Sequence, residues 1–228
     1  MPSEPTPDNV ETPELFPKAE RLFSVDRLAV LASGSGSTFE AIGRAVRDGE
    51  IPASYLVLVS NNANAGALAR ADRLGIESIV VDWDEYEDHA EHDRVVTESL
   101  LEQKVGLVFL AGYMRKIGST MLNVYKNRIL NTHPALLEDD PGQRKYGGEG
   151  MFGSHVHEAV FQNGDQVSGA SVHLVDGEFD HGPVLQRAEV NISEAQDADE
   201  VSTLVQGVEK PLVVSVVRDV ISGRVTLP

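Results

Sequence analysis

The sequence predicts an α/β protein of three layers, α/β/α, built on a mostly parallel, Rossmann-like sheet with an antiparallel C-terminal extension. Three observations predict it. From residue 28 onward, short apolar runs alternate with amphipathic stretches, the pattern of strands joined by crossover helices. The first run leads into a glycine-rich turn that opens a helical stretch, the strand–turn–helix order of such sheets. The last two runs alternate apolar and polar residues, as strands with one face in water do.

Taken in order, the runs at 28–32, 55–59, 79–81 and 106–110 are each followed by turn residues and a helix-compatible stretch, and read as central parallel strands. A fifth run covers 128–132. Residues 169–175 and 184–192 read as the half-exposed antiparallel extension, and 198–222 as a final helix. Five of the eleven prolines fall in the first 17 residues, among Ser, Thr, Glu and Asp. Residues 1–25 therefore read as a flexible, acidic, Pro-rich extension, and residues 26–228 as a single domain. A chain of 228 residues suits one sizeable core.

Composition removes several function classes. With no cysteine, disulfides, thiolate metal sites and cysteine nucleophiles are excluded. A formal charge of −17 repels a phosphate backbone, so no nucleic-acid partner is expected. No apolar stretch approaches the roughly 18 residues of a membrane span, and the N-terminus lacks the basic and apolar regions of a signal peptide. No membrane association is expected, and a cytoplasmic location is. The acidic excess, concentrated in the N-terminal tail and in 82–93, fits a salty cytoplasm that screens carboxylates.

Ser33-Gly34-Ser35-Gly36-Ser37-Thr38 follows the first strand and opens a helix. Backbone N–H groups and the helix N-terminus suit it to a phosphate, with hydroxyl donors from Ser37 and Thr38. The dinucleotide version of this turn needs a third glycine where Phe39 stands, and the triphosphate version needs a lysine that is absent. A plain tight turn would carry the same residues. In Asn131-Thr132-His133-Pro134, strand alternation puts Asn131 and His133 on one face and Thr132 on the other. An amide donor for an oxyanion thus stands beside a titratable base, although a lone strand-end His is more often structural. Asp180, in the loop Gly177-Glu178-Phe179-Asp180-His181-Gly182-Pro183, has the chemistry to orient His133 and support its protonated form, or to close an Asx turn.

A metal cluster of His155, His157, His173, His181 and Asp180 is disfavoured, because no third ligand stands at a characteristic spacing. Residues 110–117 suit the edge of a pocket for a flat ligand, and a strand-to-helix connection explains them almost as well. Residues 141–153 hold five glycines in thirteen residues and read as a mobile loop at the same end of the sheet.

These motifs together resemble the folate-dependent phosphoribosylglycinamide formyltransferases, over residues 28–225. The glycine turn, Asn61-Asn62-Ala63-Asn64-Ala65, the segment from Leu110 to Arg115, Asn131-Thr132-His133-Pro134 and Ser171-Val172-His173 through Pro183 stand in the family's order. The resemblance implies transfer of a formyl group from 10-formyltetrahydrofolate to the amine of N1-(5-phospho-D-ribosyl)glycinamide in purine (IMP) biosynthesis, without a metal, by a monomer or homodimer. It implies that Asn131, His133 and Asp180 are catalytic and that Gly36, Ser37 and Thr38 bind the substrate phosphate, with Thr38 where Asn is common. It further implies that Met114, Arg115, Lys116, Ile117 and Asn131 line the folate pocket. His89 stands where relatives often carry an Arg near the folate. Glu209 matches an acidic residue that holds the glycinamide, and Pro211 is expected to disturb the helix around it. Formyltetrahydrofolate hydrolysis, formylation of initiator methionyl-tRNA and non-catalytic sugar-phosphate binding are the alternatives.

Overall fold

The protein is described by a computed structural model at residue 19 and residues 23–228. One sheet holds β1 (Arg27–Leu31), β2 (Tyr55–Ser60), β3 (Glu77–Val80), β4 (Leu107–Leu110), β5 (Ile129–His133), β6 (Val167–Leu174) and β7 (Val184–Asn191), in the order β3-β2-β1-β4-β5-β6-β7. β1 to β5 are parallel, whereas β6 and β7 join antiparallel. The helices are α1 (Ser37–Arg47), α2 (Gly66–Leu74), α3 (His89–Glu102), α4 (Ser119–Val124), α5 (Ser154–Gln162) and α6 (Ala198–Ile221).

Alternation along each strand builds two cores. Leu28 and Val30 of β1, Leu56 and Leu58 of β2, and Leu107 and Phe109 of β4 pack with α1, α2, α5 and α6. Their neighbours Ala29, Leu31, Val57, Val59, Val108 and Leu110 pack with α3 and α4 on the other face. Both faces are covered, which is why these strands are apolar throughout rather than alternating. Each fully buried Leu, Val or Phe contributes about 1.5–3 kcal/mol.

The strand order reverses between β1 and β4. The helix after β1 packs on one face and the helix after β4 on the other. Their divergence leaves a crevice beyond the carboxyl ends of the strands, where α/β sheets bind ligands.

Three expectations need correction. The run at 79–81 is not central: β3 is an edge strand, and Val80 is 44% exposed. β6 is buried from Ser168 to Leu174 rather than half-exposed. α6 covers its Ala170, Val172 and Leu174 face, and the turn after His133 covers the other, where Ser171 Oγ donates to Ala135 O and accepts from Leu137 N. Only β7 shows the expected partial exposure. The third concerns Pro211, which leaves α6 continuous from Ala198 to Ile221. Gly207 and Pro211 are both exposed, so the carbonyl deprived of its N–H partner is on the solvent side, where water can bond it.

The extension read over residues 1–25 lies mostly outside the described residues. Where it is described it packs: Ala19 is fully buried, Phe23 is half-buried against the core, and Ser24 sits against the start of β4. A Cβ on Gly106 would meet Ser24 O at 2.1 Å, so only glycine allows that approach. Among the described residues no helix is long and apolar enough to cross a membrane.

Candidate active site

A cavity of about 670 Å³ opens at the carboxyl ends of β1, β4 and β5. One end is the glycine turn, where residues 34–38 all border the cavity. Gly36 is left-handed, with φ 74°, and a Cβ there would meet Ala67 Cβ at 2.5 Å, so both backbone and space require glycine. Gly36 is the N-cap of α1 and no side chain caps that helix, leaving its first N–H groups available to an anion. The turn is braced from behind: Asn62 Nδ2 donates to Ser33 O at 3.2 Å and Arg70 Nε to Ser35 O at 2.7 Å.

Ser33 Oγ donates to Asn61 Oδ1 at 2.5 Å and accepts from Met114 N at 2.8 Å. One hydroxyl thus couples the glycine turn to the segment after β4. The far end of that segment is anchored by buried Asp93 of α3, which accepts from Gly118 N, Thr120 N and Met121 N and so caps α4 from a distance. Between the anchors, Met114, Arg115 and Lys116 border the cavity. Met114 is exposed, Arg115 lies over the Trp83 ring at 4.1 Å, and Lys116 Nζ lies over Phe179 at 5.1 Å. Ile117 is a core residue, and it borders only a smaller cavity of about 90 Å³ that shares several of the same walls. His89 borders neither cavity. Its Nε2 meets Lys116 O at 2.8 Å, which makes it a brace behind the segment.

At the centre, β5 does what its alternation requires. Asn131 and His133 reach the same carboxylate, Asp180, from one face, while Thr132 turns to α6. Asp180 Oδ2 lies 3.3 Å from His133 Nδ1 and accepts from Gly148 N at 3.1 Å. Asp180 Oδ1 lies 3.4 Å from both Asn131 Nδ2 and His173 Nε2. Burial pushes the Asp180 carboxyl up, but hydrogen bonds from His133 and His173 outweigh it and hold the group well below the ordinary aspartate range. Asp180 has φ 49°, in the left-handed region that a non-glycine residue adopts only when held. His133 Nε2 meets Tyr146 O at 2.6 Å, so each ring nitrogen faces an oxygen.

On the opposite face Thr132 Oγ1 donates to Glu209 Oε1 at 3.0 Å. Glu209 is buried and borders the cavity, and burial raises its carboxyl above the usual glutamate range. His157 of α5 also borders the cavity, its pKa lowered by burial and then by His133. Among the described residues no group of three or more His, Cys, Asp or Glu is arranged to hold a metal ion.

The candidate site residues read from the sequence border this cavity, except that Ile117 faces the core and His89 stands behind the segment. Sequence reasoning missed His173, Arg144 and the backbone groups of Tyr146 and Gly148 as members of the centre. His173 sits opposite Asn131 in the β5–β6 register. That register has no sequence signal beyond the antiparallel pairing itself. The loop at 141–153 was expected at this end, and its contacts to His133 and Asp180 depend on a path that its glycines leave open.

The sequence profile of a family described as formyl transferase matches residues 26–217. The chain is 32% identical over 195 residues to the phosphoribosylglycinamide formyltransferase of Bacillus subtilis (strain 168), spanning 86% of this chain and 94% of that protein. It is 32% identical over 191 residues to the enzyme of the same name from Escherichia coli (strain K12), spanning 82% and 85%. Among solved structures, glycinamide ribonucleotide transformylase 1 from Symbiobacterium toebii superposes with a TM-score of 0.80 at 32% identity, over 89% of this chain and 90% of that one.

Proposed function

This chain belongs to the formyl transferase family, and on that premise we propose that its centre moves a formyl group from 10-formyltetrahydrofolate to the amine of glycinamide ribonucleotide. The chain is a formyltransferase of purine biosynthesis acting on small-molecule substrates. The observation that carries the assignment of residues is the convergence of Asn131 and His133 on buried Asp180, with a phosphate-ready turn at the other end of the same cavity.

In this reading Gly36, Ser37 and Thr38 hold the substrate phosphate, and Met114, Arg115 and Lys116 hold the folate largely through their backbone. Glu209 meets the glycinamide arm. The neutral amine attacks the formyl carbon, and the carbonyl electron pair moves onto oxygen, giving a tetrahedral intermediate. An amide carries two N–H donors, so Asn131 can serve Asp180 with one and the oxyanion with the other. With Nδ1 held by Asp180, Nε2 of His133 exchanges Tyr146 O for the attacking nitrogen, takes its proton and delivers it to N10 of the folate as the C–N10 bond breaks. Asp180 fixes the ring of His133 and offsets the positive charge it acquires. Formylglycinamide ribonucleotide and tetrahydrofolate are released. Residues 26–228 act as one domain in this chemistry.

The absorbance change on folate deformylation tests the reading. Formyl loss is expected only when glycinamide ribonucleotide is present. Equal loss to water alone would make the chain a hydrolase, and no loss with either acceptor would reduce it to a sugar-phosphate binder.

A further inference from the structure

Arg144 has no role in the chemistry above and borders neither cavity, yet its guanidinium joins the loops that form the centre. It is 9% exposed. Its Nε donates to Glu138 O at 2.8 Å, Nη1 to Asp180 O, and Nη2 to Gly182 O at 3.1 Å. Three donors in a rigid planar fork thus fix three backbone carbonyls, two of them in the loop that carries Asp180.

That loop needs holding. Asp180 is left-handed, a conformation that a non-glycine residue keeps only when its surroundings hold it. The guanidinium sits on its carbonyl. The chain leaving Arg144 then reaches the centre twice more, through Tyr146 O at His133 Nε2 and Gly148 N at Asp180 Oδ2. One side chain therefore anchors the backbone of Asp180 and the segment that meets both members of the His133–Asp180 pair.

We propose that Arg144 is the positioning residue of this centre. Its fork sets the backbone of Asp180 and holds residues 144–148 against His133, so kcat depends on a side chain just outside the cavity while substrate affinity does not. Lysine keeps the charge but not the fork, which separates geometry from electrostatics.

The inference rests on the formyl-transfer reading, and two measurements keep the two apart. In steady-state kinetics Arg144→Ala is expected to lower kcat on the order of ten- to a hundredfold, the scale of a small misplacement at a reacting centre, with KM for both substrates within about threefold of wild type. Arg144→Lys should fall between, and added guanidinium should restore part of the alanine variant's rate. Amide hydrogen exchange, which needs no turnover, should quicken in 144–148 and 176–183 while β1, β2 and β4 keep wild-type protection. If the alanine variant does not fold, the lysine variant carries both measurements. A kcat within about twofold of wild type in a folded variant would overturn the proposal, as would a proportional change in kcat and both KM values with faster exchange throughout the sheet. An inactive wild type with the local exchange change intact would remove the functional reading and with it the kinetic half of the proposal.

Discussion

The two faces of β5 present carboxylates of opposite character. On one, Asp180 has four nitrogen partners, from His133, His173, Asn131 and the backbone of Gly148. On the other, Glu209 has, among the described residues, the single hydroxyl of Thr132. Both groups are buried, and burial alone drives both toward the neutral form. The difference teaches that donors can outweigh burial: four of them hold Asp180 below the ordinary range, whereas one leaves burial free to raise Glu209. Residues 131–133 separate the two by nothing more than the alternation of a strand.

The largest expected effect breaks the Asp180 face. Asn131→Ala should lower kcat by roughly a hundred- to a thousandfold while circular dichroism stays that of the wild type. A rate near wild type would remove Asn131 from the chemistry. Next comes the charge of Asp180. Its folded-state pKa lies below the unfolded one, so the stability it adds is complete above the ordinary aspartate value of 3.8 and is lost as the pH falls below it. Asp180→Asn should therefore be less stable by about 2 kcal/mol in denaturant at pH 7, and the gap should close as the pH is lowered toward 2. A gap that does not change with pH would contradict the charged assignment.

The Glu209 face should behave in reverse. Its folded-state pKa is raised, so the fold favours the protonated acid and loses stability as the pH rises from the ordinary value of 4.5 through the folded one. Glu209→Gln should gain about 1 kcal/mol at pH 7 and nothing at pH 3, measured by the same unfolding curves, while its KM for glycinamide ribonucleotide rises. The smallest effect is expected from Thr132→Val, which removes the one donor to Glu209. A loss of about 1 kcal/mol or less, with kcat nearly intact, would confirm that this face serves binding and packing rather than proton transfer.

Legibility from sequence followed the range of the contacts. The glycine turn is contiguous, so its place between β1 and α1 could be read before any tertiary placement. The alternation of Asn131, Thr132 and His133 is equally local, and it correctly separated their faces. Asp180 was recognisable as a loop carboxylate, but its distance from His133 depends on how the loop after β6 returns across β5. The burial of β6 was illegible because its cover comes from residues 134–137 and from α6, neither of which marks the strand itself. Arg144 gave no signal at all: an arginine in an acidic, glycine-rich stretch looks like a solvated surface charge. The expectation that Pro211 would disturb α6 failed because local propensity ignores which side of the helix meets solvent.

Ser24 lies against Gly106 at the start of β4, and Asn127, just before β5, donates to Pro228 O at 3.1 Å. Residues 24 and 228 therefore both sit at the edge of the sheet where the parallel strands begin, a full strand length from the cavity where they end. For engineering, residue 228 offers an attachment point away from the cavity. A second catalyst or a support joined there leaves the cavity facing the solution.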